Sequence, residues 1–145
     1  MNPMYFYIQA LYKYLLDKLP EYSEILFVEA IPQNDIQKFI LIADLGGEYE
    51  DAQRKEFHPE MLIVTQSTDP ASAKMLGLEV FELVKQMYDL TITFDYEWKS
   101  EIKSATLNFA GIQAGSTPSP LGNTGNGLFQ YVATLKISVC NTDSE

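Results

Sequence analysis

The sequence holds one cysteine, one histidine, one tryptophan and one arginine among 145 residues. A single cysteine, Cys140, excludes an intrachain disulfide and a multi-cysteine zinc site. A single arginine, Arg54, stands beside nine lysines, and 20 acidic residues against 10 basic ones give a formal net charge of -10. That balance lacks the basic face and the arginine forks with which proteins hold phosphates and guanines. It is equally unsuited to an anionic membrane surface. No run of about 18 consecutive apolar residues is present, so no transmembrane helix is expected. The first twenty residues have neither a basic n-region nor a small-residue cleavage site, and they do not read as a signal peptide. The expectation is a soluble protein made in the cytoplasm, whose partner is another protein or a neutral ligand.

What is present is ample for a core. Hydrophobic residues make up 46% of the chain, and a chain this long buries roughly two-thirds of its unfolded surface. No internal repeat or composition break divides it, so residues 1–145 read as a single domain. Met4, Ile8, Leu11 and Leu15 recur at helical spacing, with Tyr5, Tyr12, Leu16 and Leu19 as a neighbouring row. With Asn2 as cap, Pro3 in the first turn and Pro20 as stop, an amphipathic helix is expected over 3–19. A second is expected from Pro70 to near Tyr88. Asp69 is its cap, and Ala73, Leu76, Val80, Leu83, Val84 and Met87 share one face. Gly77 falls at the edge of that face, where it would allow close contact with a sheet.

The remainder reads as strands. Glu24–Ile31 and Gln37–Leu45 flank the turn-type sequence Pro32-Gln33-Asn34-Asp35 and look like a hairpin. Met61–Gln66 is a short apolar run. Leu90–Tyr96, residues 104–112 and residues 129–139 alternate between apolar and polar, the mark of an antiparallel sheet with one covered face. The expected fold class is α+β: two layers, a mainly antiparallel sheet with two amphipathic helices packed on one face. Gly46–Pro59 and Gln113–Gly127 read as long loops, and loops of that length are usually functional or disordered.

Catalytic chemistry is hard to find. His58, in the first of these loops and just before Pro59, reads as an exposed histidine with no partner for a triad. Cys140 falls opposite the apolar row of the last strand and has no electropositive surrounding to activate it. Glu48, Glu50 and Asp51 form an acidic group, but the spacing of a calcium loop is missing. The glycines at 122, 125 and 127 lack the lysine and hydroxyl of a phosphate loop. No catalytic residue, metal site or cofactor is expected. Tyr5, Phe6, Tyr7, Tyr12 and Tyr14 crowd the first helix on more than one side, so some are core and others are rim residues or anchors for a partner.

Three features resemble a known group. One is MLIVTQSTDPASAKMLGLEVFELVKQMYD, a strand leading directly into a capped helix. Another is SATLNFAGIQAGSTPSPLGNTGNGLFQYVATLKISV, where Thr117-Pro118-Ser119-Pro120-Leu121-Gly122 and a glycine-rich segment precede a long aromatic strand. The third is a short N-terminal helix followed by a hairpin. Together these resemble the minor capsid or tail-terminator proteins of long-tailed bacteriophages and prophages. Where that family often carries an acidic residue and an arginine, this chain reads Asn123-Thr124-Gly125-Asn126-Gly127.

The resemblance implies a structural protein of the virion without catalytic activity. It would stop tail-tube polymerisation and form the joint to the head as a ring, commonly of six subunits. Its partners would be further copies of itself together with tail-tube and neck proteins. A ring needs two different patches that meet head to tail. Pro118, Pro120 and Leu121 in one loop, and Glu48 and Glu50 in the other, are the expected contact residues. A neck or head-completion protein of the same particle fits the same features. A small enzyme or ligand-binding domain would need a polar group inside the core, and the apolar faces of the last three strands carry none.

Overall fold

The computed structural model describes residues 1–31, 36–51, 56–123 and 125–142, with the side chains of 48–51 and 123 outside that description. The fold is mixed α+β: a curled six-stranded sheet and two helices. A 3-10 turn, Pro3–Phe6, leads into α1, Tyr7–Lys18, and a second 3-10 turn follows at Pro20–Tyr22. Then come β1 (Leu26–Val28), β2 (Phe39–Asp51), β3 (Glu56–Ser67), α2 (Pro70–Lys85), β4 (Leu90–Trp98), β5 (Glu101–Asn123) and β6 (Phe129–Asn141). The strands lie in the order β1-β2-β3-β6-β5-β4. Among the described residues no helix is long and apolar enough to cross a membrane.

Both predicted caps are in place, but only α2 starts as expected: Asn2 caps the 3-10 turn Pro3–Phe6, and α1 itself begins four residues later, at Tyr7. The Asn2 side chain accepts from the Met4 amide at 3.0 Å, and the Asp69 carboxylate accepts from the Ser72 amide at 3.0 Å. Each therefore satisfies an amide that the helix itself leaves unpaired. α2 stops three residues earlier than expected. Asp89, at φ 48°, turns the chain into β4. Gly77 is buried, and a Cβ there would lie 3.3 Å from Thr65 Oγ1 and from Pro118 Cβ, so the absence of a side chain sets the approach of α2.

Three expectations are corrected. First, β1 and β2 are not a hairpin but a parallel pair, with Leu26 opposite Ile40 and Val28 opposite Ile42. Parallel neighbours need a longer connection than a tight turn. Glu29, at φ 67°, turns the chain away directly after β1. The predicted turn 32–35 lies outside the described residues.

Second, Gly46–Pro59 is mostly strand. Gly46, at φ 83°, and Gly47 form a bulge within β2, and pairing continues to Asp51 opposite Glu56. A Cβ on Gly47 would stand 2.3 Å from the His58 carbonyl oxygen, a distance only glycine allows. Third, the segment from Gln113 is not a loop. β5 stays paired with β6 as far as Asn123 opposite Phe129, with irregularities between Phe109 and Gly111, Ile112 and Ala114, Ser116 and Ser119, and Pro120 and Gly122. Glycine and proline are used here as bulge and edge residues.

Alternation in the last three strands matches burial. Ile92, Phe94 and Tyr96, then Ala105, Leu107 and Phe109, then Ala133, Leu135, Ile137 and Val139 are all buried. Tyr7 is fully buried at the centre of the helix contact. Its hydroxyl donates to Asp44 Oδ1 at 2.8 Å, and the Glu60 carbonyl oxygen lies 3.2 Å away. Asp44 Oδ1 also accepts from the Gly46 amide at 2.7 Å, so one carboxylate ties α1 to the β2 bulge. Burial, then the nearby Asp44 carboxylate, raises the Tyr7 phenol far above its ordinary range.

A group whose pKa is raised by folding supports the fold while protonated in both states and loses that support as pH rises past its unfolded value. Tyr7→Phe is therefore expected to destabilise by about 1–2 kcal/mol at neutral pH in urea unfolding. It should also show a shallower loss of stability above about pH 10 than the parent chain.

Candidate functional site

β4 covers β5 only from Glu101 to Phe109. From residue 110 to Asn123, β5 is bonded to β6 on one side, and no described strand borders its other side. This length of free edge is the most distinctive feature of the surface. Residues 113–117 and 119–122 are exposed on it, and Leu121 is 60% exposed.

The expected contact residues divide. Pro120 and Leu121 lie on the exposed edge. Pro118 does not: it is buried, with its ring against α2 at Gly77. Pro118 thus fastens β5 to the helix, a role the sequence did not disclose. Neither proline carries a main-chain donor, so this irregular stretch of β5 offers fewer hydrogen bonds to a neighbour than an ordinary strand would. Glu48 falls in β2 opposite His58, and Glu50 follows it near the strand's end; their side chains lie outside the described residues.

The register separates these two segments. Pro120 pairs with Tyr131, which pairs with Thr65, which pairs with Ile40. Asp51 pairs with Glu56, which pairs with Cys140, which pairs with Asn108. The two hairpin ends therefore stand at opposite ends of the sheet.

His58 requires a correction. It is not an exposed loop residue but sits in β3 with 4% of its surface exposed. Gln113 Nε2 lies 2.5 Å from its Nδ1, and Glu56 Oε2 lies 3.7 Å from its Nε2. The bulges at Gly47 on one side and near Ile112 on the other bring these side chains together. No pattern in the local sequence marks His58, because Gln113, which meets its Nδ1, comes from a strand more than fifty residues away.

Cys140 is half-buried and faces Glu56 across the β3–β6 ladder. Burial, then the Glu56 carboxylate, raises its thiol above the ordinary value. The thiolate is the nucleophile, so this environment opposes nucleophilic chemistry. Among the described residues no group of three or more His, Cys, Asp or Glu is arranged to hold a metal ion. Elsewhere Glu29 is also raised, by burial and then by Asp44, with the Asp44 amide acting in the opposite direction.

Compared with protein-family models and with curated proteins, the chain matches none.

In the folded protein Cys140 should react with a disulfide reagent at neutral pH several-fold more slowly than in the urea-unfolded chain. Glu56→Gln should narrow that gap. Equal rates in folded and unfolded protein would show that Glu56 and burial do not hold the thiol protonated.

Proposed function

We propose that this chain is a structural subunit of a long-tailed phage particle, which ends tail-tube assembly and forms the head–tail joint as a ring. The observation that carries the reading is the separation of two unlike hairpin ends. One is acidic, at Glu48 and Glu50; the other is apolar, at Pro120 and Leu121. Head-to-tail contacts need two different patches, and patches at opposite ends of one rigid sheet meet that need. The resemblance of the Thr117–Gly122 segment and the final strand to tail-terminator proteins supports the same reading.

The architecture we propose for this role is two layers with both helices on one face. Asp44, Met61, Ile63 and Thr65 share one side of the sheet by register. The Tyr7 hydroxyl of α1 bonds Asp44, and Thr65 Oγ1 donates to the Ala73 carbonyl of α2 at 2.6 Å. A net charge of -10 gives copies a mutual repulsion that favours assembly on a template over assembly in free solution. The protein would then reside in the tail or neck of the virion after assembly in the host cytoplasm.

Leu121→Glu tests the reading without disturbing Pro118. Its thermal midpoint should match the parent chain within a few degrees, since an exposed side chain is changed. Particles assembled with it should carry overlong or ragged tails. Tails of normal length would overturn the assignment. Normal free tails beside leaky heads would move the protein to the neck.

A further inference from the structure

β4 forms the outer edge of the sheet, and α1 packs beside it. The Lys13 ammonium donates to the Thr93 carbonyl oxygen at 2.5 Å. That carbonyl therefore points away from β5. In an antiparallel strand a residue's N–H and C=O point to the same side, and alternate residues point to opposite sides. Thr91, Thr93, Asp95 and Glu97 thus turn their main-chain donors and acceptors toward the space beside α1.

That space is an open cleft of about 350 Å³, with Tyr12, Leu16 and Phe94 as its apolar lining and Asp17 and Asp95 as carboxylates. A second cleft continues along the edge. It shares Gln9 and Asp95 with the first and adds Phe6, Tyr96 and Glu97. Lys13 is the one cation that lines these two clefts, and it is engaged with Thr93. Nearby lysines are turned elsewhere: Lys18 lies over the Tyr14 ring, Lys99 over the Trp98 ring, and Lys103 beside Glu101.

We propose that the β4 edge accepts an extended, lysine- or arginine-bearing segment of a partner protein as a seventh strand. Main-chain bonds to Thr91, Thr93, Asp95 and Glu97 would set its register, as in other strand additions. Alternate side chains would meet the apolar lining on the α1 side and the Asp95 and Glu97 carboxylates on the other. Charge selects the occupant. Asp17, Asp95 and Glu97 favour a basic segment, and a second copy of a chain at -10 is repelled. Lys13 blunts the edge until the incoming strand displaces it from the Thr93 carbonyl. This surface is separate from the hairpin ends, and the proposal stands whether or not the chain forms rings.

The test titrates the isotopically labelled full chain, at low salt, with a peptide of about ten alternating valines and lysines, and with a valine–glutamate peptide as control. Amide shifts should concentrate on Thr91–Glu97 with the lysine peptide and be absent with the glutamate peptide. Asp95→Asn combined with Glu97→Gln should weaken binding about tenfold, two charge pairs being lost. Thr93→Pro removes a donor aimed at the cleft and none aimed at β5. It should abolish binding while the thermal midpoint stays within a few degrees. Lys13→Met leaves the strand itself intact and should tighten binding several-fold. The proposal is overturned if the lysine peptide fails to bind at millimolar concentration or shifts amides over the acidic surface at large. Equal binding by a folded Thr93→Pro chain, or Lys13→Met binding no tighter than the parent, overturns it too. Shifts of the same amides that grow with protein concentration alone would assign the edge to a second copy instead.

Discussion

The strand that comes last in chain order, β6, lies in the middle of the sheet, bonded to β3 on one side and to β5 on the other. Remove it and the sheet falls into two pieces, β1-β2-β3 and β5-β4, each a local ribbon. Neither ribbon alone could cover the apolar faces of both helices, because α2 packs on β3, β5 and β6 together. A two-stranded ribbon such as β5-β4 is marginal in water, and a three-stranded one stands alone only with its apolar face covered. The pairing of Met61 with Leu135 therefore joins parts of the chain that are far apart in sequence, and such closure slows folding relative to local hairpins. Fully buried Leu135, Ile137 and Val139 make that closure favourable by supplying apolar area to both halves.

The elements that depend on local chemistry were readable in the sequence. Asn2-Pro3 and Asp69-Pro70 announce helix starts because capping is satisfied within three residues. Ile92–Phe94–Tyr96 and Ala133–Leu135–Ile137–Val139 announce strands because period-two burial is a property of each strand alone. The direction of β1 was not readable. An apolar run such as Leu26–Val28 suits a parallel or an antiparallel neighbour, and the left-handed Glu29 that decides between them carries no sequence signal. Gly46-Gly47 and Pro118–Pro120 misled for a related reason. Glycine and proline mark loops when they interrupt pairing, yet here they serve pairing, by letting β2 approach His58 and by seating β5 on Gly77.

The candidate sites follow the same division. Exposed, unusual residues such as Pro120 and Leu121 could be picked out from the sequence. Pro118 could not be separated from Pro120, since only the position of α2 makes one a buried anchor and leaves the other exposed. His58 was misread because its setting depends on Gln113, brought in from β5, as well as on Glu56 of its own strand. The β4 edge was invisible altogether. An edge is a property of strand order, and nothing in Leu90–Trp98 tells that no strand follows it.

Strand order also bears on how such a chain stays apart from its copies. An open sheet presents unpaired main-chain groups at its borders, and these pair indiscriminately unless something blunts them. Two of the borders here carry different blunts. Lys13 and α1 shield the middle of β4, and Pro118 and Pro120 remove two main-chain donors from β5. These devices differ in reversibility. A proline cannot regain its amide hydrogen, so the stretch of β5 at Pro118 and Pro120 lacks those two donors permanently. A lysine on a carbonyl can swing away, so the β4 edge remains open to a strand that offers a better donor. The fold therefore separates two modes of association along one side of the sheet. Side-chain contacts dominate where the prolines stand, and main-chain pairing is retained where a single exposed ammonium guards the strand.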